Sequence, residues 1–193
     1  MAKSAHGSTV INLPSGETDP TIDTSNATIK GTGSYDLFVG GSNDVVELTG
    51  GNETVNAPLG GNTIDTGAGN DTIEISGSNN LVNGGAGHNA ITDNGSGNTF
   101  VVGGGARGQG DDLLYGQTGG MKPNDLWDLR QLLGLTTWNG STSTLSEYLK
   151  VKTVGANAIL MERAMSSDAW HPVLTFEESG SLTLSQVLSQ AIV

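Results

Sequence analysis

Between Val39 and Val101 an apolar residue returns at every ninth position: Val46, Val55, Ile64, Ile73, Val82, Ile91 and Phe100. Two residues ahead of each stands an oxygen-bearing side chain: Asp44, Glu53, Asn62, Asp71, Asn80, Asn89 and Asn98. A Gly- or Ser-rich turn precedes that, most fully in Gly67-Ala68-Gly69-Asn70-Asp71 and Gly85-Ala86-Gly87-His88-Asn89. A fixed period of this kind decides the architecture before local propensities do. Nine residues hold one tight turn and one short strand, and glycine lets the turn adopt positive φ without a steric penalty. In each strand the apolar residue points inward, while neighbours such as Thr72 and Glu74 around Ile73 point outward. Two units close one coil, so residues eighteen apart stack. The pattern predicts a parallel β-roll with one polar row of Asp44, Asn62, Asn80 and Asn98, and a second of Glu53, Asp71 and Asn89.

The flanks depart from this pattern. Met1 to Lys30 is polar, with Pro14 and Pro20 against long regular elements, yet Thr9-Val10-Ile11 can add as a strand, in cis or to a neighbouring copy. Thr28-Ile29 and Leu37-Phe38 fit early, slipped coils. After Val102 the period breaks in a glycine loop, and Gly108 to Tyr115 gives one further repeat, out of phase, with Asp111 and Asp112 at its turn. From Asn124 the spacing changes again. Asp125 to Leu133 carries leucines at helical spacing, although its first half fits a strand equally well. Thr144 to Glu147 and Thr183 to Gln186 both read as capping boxes opening short helices. Val151–Val154 and Ala158–Glu162 form a predicted hairpin, and Val173–Phe176 a further strand. The fold class expected is mostly β: a parallel β-roll (β-solenoid) over 31–120, preceded by a polar segment over 1–30. A small α+β C-terminal capping domain follows over 121–193.

Composition sharpens the division. Of 30 glycines, 24 lie between Gly31 and Gly120, whereas Trp127, Trp138 and Trp170 all follow. From Gly31 to Ala106 there is no Lys or Arg but eight acids, and the whole chain carries a net charge of −12. That excludes nucleic acid as a partner and favours cations. The chain has no cysteine, so a metal here would take oxygen ligands. No stretch is long and apolar enough for membrane insertion.

The nonapeptide resembles the RTX repeat, the hemolysin-type calcium-binding motif Gly-Gly-x-Gly-x-Asp-x-apolar-x. Thr66 to Glu74 matches it at all but the first position. The resemblance extends more loosely to 121–193, which is similar to the C-terminal domain of type I-secreted RTX adhesins and related surface proteins. It implies Ca2+ as cofactor, held by Asp71 with the turn carbonyls of Gly67 and Gly69 and by Glu53 one coil away. Asp44, Asp111 and Asp112, and the second full turn at Gly85 and Gly87, complete the implied ligand set. It also implies export by the type I secretion machinery, directed from the C-terminus. Four of the seven aspartate positions hold Asn here, which offers an oxygen but no charge. Fewer and weaker calcium sites are therefore expected, with Asn stacking making up a mixed ladder.

No H-E-x-x-H, G-x-S-x-G or P-loop is present, and His6, His88 and His171 are scattered. Gly103, Gly105 and Gly108 spell G-x-G-x-x-G, but another glycine turn follows instead of a helix, against a dinucleotide site. The expected function is a non-enzymatic, secreted matrix or surface protein that folds with calcium and self-associates. The alternative is a calcium-binding secretion and folding module of a larger RTX adhesin or secreted enzyme.

Overall fold

In the computed structural model, residues 9–103, 112–116, 122, 124–165 and 167–193 are described. They form two sheets wound as a parallel β-solenoid. Strands are numbered in chain order and fall on the two sheets almost alternately. Sheet A holds β1 (Thr9–Asn12), β3 (Ala27–Gly31), β5 (Val45–Leu48), β7 (Thr63–Asp65), β9 (Leu81–Asn83), β11 (Thr99–Val101), β13 (Leu126–Asp128) and β17 (Ala191–Ile192), adjacent in that order. Sheet B runs from β2 (Thr21–Ile22) through β4 (Asp36–Val39), β6 (Thr54–Ala57), β8 (Thr72–Ile75), β10 (Ala90–Asp93) and β12 (Asp112–Gly116). It continues with β16 (His171–Phe176) and β15 (Asn157–Glu162) and ends at β14 (Leu149–Val154).

The nine-residue period maps onto this directly. Val46 pairs with Ile64, Ile64 with Val82 and Val82 with Phe100 in sheet A. Val55 pairs with Ile73 and Ile73 with Ile91 in sheet B. All seven side chains are buried between the sheets, each contributing roughly 1.5–3 kcal/mol of apolar burial. The turns repeat as strictly as the strands. Positions 43, 61, 79 and 97 are Asn, Gly, Asn and Gly, all left-handed with φ of 57, 77, 62 and 68°. These are the residue types that take this conformation at least cost.

The solenoid reaches beyond the region where the period is clean. β1 pairs in cis with β3, Val10 beside Thr28, so Thr9-Val10-Ile11 is the first strand of sheet A. At the other end β13 and β17 extend sheet A, while β16, β15 and β14 extend sheet B. The C-terminal part thus contains both helix and strand and continues the sheets of the roll. Phe100, Trp127 and Phe176 link the two, with Phe100 stacked on Trp127 at 5.3 Å and Trp127 edge-on to Phe176 at 5.0 Å.

The leucine-spaced segment divides into β13 and a short helix α1 (Arg130–Gly134). Thr183 forms the expected capping box with Gln186 at the start of α2 (Leu184–Ser189). Thr144 does not form one. It lies inside a 3-10 helix (Thr142–Glu147) without a side-chain cap, and Leu149 already belongs to β14. The Thr144 hydroxyl donates to the Ser141 carbonyl at 2.9 Å, which removes it from capping. No described helix is long and apolar enough to cross a membrane.

Candidate cation site on an internal polar ladder

The residue two places before each inward apolar side chain sits where the turn enters the strand. Its side chain folds inward and is almost wholly buried. Here the sequence alone places oxygen-bearing groups in the driest part of the protein, where each must find a partner. The solution is a ladder between coils. Ala27 N–H donates to Asp44 Oδ1 at 2.7 Å, and Asp44 N–H to Asn62 Oδ1 at 2.9 Å. Asn62 N–H donates to Asn80 Oδ1 at 2.9 Å, Asn80 N–H to Asn98 Oδ1 at 2.8 Å, and Asn98 N–H to Asp125 Oδ1 at 2.9 Å. On the opposite corner Glu53 N–H donates to Asp71 Oδ1 at 2.9 Å and Asp71 N–H to Asn89 Oδ1 at 3.0 Å. Asn89 Nδ2 reaches Asp112 Oδ1 at 2.9 Å.

Both stacked rows expected from the period are therefore present. The bonding differs from a plain amide stack: each rung is mainly a side-chain oxygen accepting a backbone N–H of the coil before. A direct amide-to-amide bond occurs between Asn80 Nδ2 and Asn98 Oδ1, at 3.2 Å. Replacing Asn80 with Ala should strand the Asn62 N–H and cost about 1–3 kcal/mol, read as a lower midpoint in urea unfolding. An unchanged midpoint would show that the rung carries no stability.

For this bond Asp and Asn are equivalent, since each supplies one acceptor oxygen. They differ in the second atom. Asn62 Nδ2 donates to the Leu59 carbonyl at 3.0 Å and Asn98 Nδ2 to Asp93 Oδ1 at 3.0 Å. The aspartates have an oxygen there instead. Asp44 Oδ2, Asp71 Oδ2 and both Glu53 carboxylate oxygens are buried without a donor. Burial pushes Glu53 up to about 8, and the adjoining Asp71 carboxyl adds to the rise. Glu53 therefore keeps its proton in the folded chain at neutral pH. Burial likewise raises Asp44, against the Ala27 N–H that favours its charge.

Of the residues expected to hold calcium, Glu53 and Asp71 come together, on successive coils of one corner. Asp44 lies on the opposite corner, and Asp112 holds Asn89. Asp111 lies outside the described residues. The glycines stack closely: Ala86 N–H donates to the Gly67 carbonyl and Gly69 N–H to the Ala86 carbonyl, both at 2.8 Å. A Cβ on Gly85 would lie 1.7 Å from the Gly67 oxygen, and one on Gly87 1.7 Å from the Gly69 oxygen. Those carbonyls face the next coil. Among the described residues no three His, Cys, Asp or Glu side chains group as a metal site. The donor set that fits a hard cation is thus the Glu53–Asp71 pair, with three unpartnered oxygens.

A second buried cluster escaped sequence reasoning. Asp93 follows Ala57 and Ile75 in an apolar row of sheet B. Lys122 Nζ lies 3.7 Å from Asp93 Oδ2 and donates to the Asp93 and Gly95 carbonyls. Gln190 Nε2 donates to the Lys122 carbonyl at 2.9 Å, tying the C-terminal segment to this corner. Burial pushes Asp125 up to about 7, opposed by the Asn98 N–H and Lys122 and reinforced by Asp93. The available signal was an acid on an apolar row.

Against known protein-family models and curated proteins, the chain has no match.

Proposed function

We infer that this chain is a secreted, non-enzymatic structural protein of the RTX type, which folds on taking up calcium and associates with copies of itself. The observation that carries this is the Glu53–Asp71 pair. Two adjoining carboxyls are withdrawn from water with three oxygens lacking donors. A divalent cation would neutralise both charges and supply the missing partner. Where calcium is scarce, the cost of burying the two carboxyls opposes folding, and the acidic, glycine-rich chain stays loose, suited to export through a type I channel. In millimolar calcium, binding to the folded state alone draws the chain into it. The near-consensus turn before Asp71 supports the RTX reading, and the continuous sheets support a structural one.

The test is far-UV circular dichroism and thermal unfolding at neutral pH, in chelator and in millimolar calcium. The midpoint should rise with calcium, and Asp71→Asn should blunt that rise. Equal β signal and equal midpoint in both buffers would sink the calcium reading.

A further inference from the structure

We propose that copies of this chain join head to tail by continuing sheet B, with β14 of one copy against β2 of the next. Among the described residues both strands are terminal in sheet B and paired on one side only. Their directions agree. β16 runs parallel to β12, β15 reverses it, and β14 reverses it again, so the last strand points the same way as the first. A second copy can therefore add without breaking the parallel order.

Side-chain placement agrees as well. Ile22 pairs beside buried Val39 and faces inward, which turns Thr21, Asp19 and Asp23 to the outer face. On β14, Leu149 is buried and faces inward, which turns Lys150, Lys152 and Val154 outward. Joining the edges with Val151 beside Ile22 sets Lys152 beside Asp23, an opposite-charge cross-strand pair. Asp19, Asp23 and Lys152 are all exposed. Lys150 Nζ lies 4.2 Å from the Trp170 ring centroid, in a cationic patch on the C-terminal end. A contact between two N-terminal ends would instead oppose Asp19 and Asp23 to their own copies, and one between two C-terminal ends would oppose the lysines. Charge thus selects the polar arrangement. Sheet A has one strand fewer, and α2 packs against both β14 and β17 at that step.

This rests on the reading of a self-associating structural protein. The experiment is sedimentation velocity of the full chain in calcium at low ionic strength, across a concentration series, with electron microscopy of the largest species. Wild type should form unbranched oligomers that salt weakens. Lys152→Glu and Asp23→Lys should each weaken association at least about tenfold while keeping the β signal. An equimolar mixture of the two variants should restore it, because each end then meets its opposite charge. Association indifferent to both substitutions, or not restored on mixing, overturns the edge assignment and leaves self-association standing. A strict monomer at every concentration overturns both.

Discussion

Glu53→Gln should stabilise the calcium-free chain at pH 8 by on the order of 4 kcal/mol and leave it nearly unchanged at pH 4.5. The sign follows from the direction of the shift. Glu53 has an ordinary value of 4.5 and stands near 8 in the folded chain. Below 4.5 both folded and unfolded chains carry the proton, and the group costs nothing. Between 4.5 and 8 the unfolded chain releases it while the folded chain retains it, so stability falls as pH rises. Above about 8 the loss is complete. Glutamine keeps the shape and does not titrate. Under the proposed calcium site the comparison should reverse, because a cation would need the ionised pair: wild type should regain stability at pH 8, and the variant should respond weakly. Urea unfolding at both pH values, in chelator and in calcium, measures all four arms. An equal gap at pH 4.5 and pH 8 would exclude the proton retained on Glu53.

Gly85→Ala should destroy the roll. Gly85 has φ of 73°, and a Cβ there would stand 1.7 Å from the backbone oxygen of Gly67 in the coil before. Left-handed strain and a backbone clash act together, and the coils cannot part without losing the bonds from Ala86 to Gly67 and from Gly69 to Ala86. A loss above ~4 kcal/mol is expected, enough to unfold a marginally stable domain. Gly134→Ala is the control, since an added methyl there would meet nothing within 4 Å and φ is not left-handed. Its unfolding midpoint should stay within about 1 kcal/mol of wild type. A small effect of Gly85→Ala would mean that the turns stack more loosely than these contacts require.

The roll was legible because its period and its packing are the same fact. A coil of two nonapeptides must set Val46 on Ile64 and Asn62 on Asn80, whatever the details. The direction of the polar row was harder to read. Asp71 at a turn end serves equally well facing an external ion or facing inward to Glu53 N–H, and spacing does not distinguish them. The burial of Asp71, Asn80 and Asn98 decides it. Beyond Val102 legibility fails for a different reason. Asp125 joins the ladder across an insertion, 27 residues from Asn98 where the other rungs of its row span 17 or 18. Period counting cannot find a partner that lies off the period. Thr144 illustrates a third limit. Its local sequence suits a capped α-helix, but its hydroxyl turns back to Ser141 and the chain enters β14 within one turn.

The continuity of the sheets also decides where the loop entropy of folding falls. Most pairings in the roll join neighbouring coils eighteen residues apart, so loop closure is cheap and one coil templates the next. The longest steps join Trp127 with Ala191 and Asp112 with Leu174, segments far apart in the chain. Closing these carries the largest loop entropy in the fold. Trp127 and Phe176 meet edge to face at this joint, so their ring contact sits on the costliest closures of the fold.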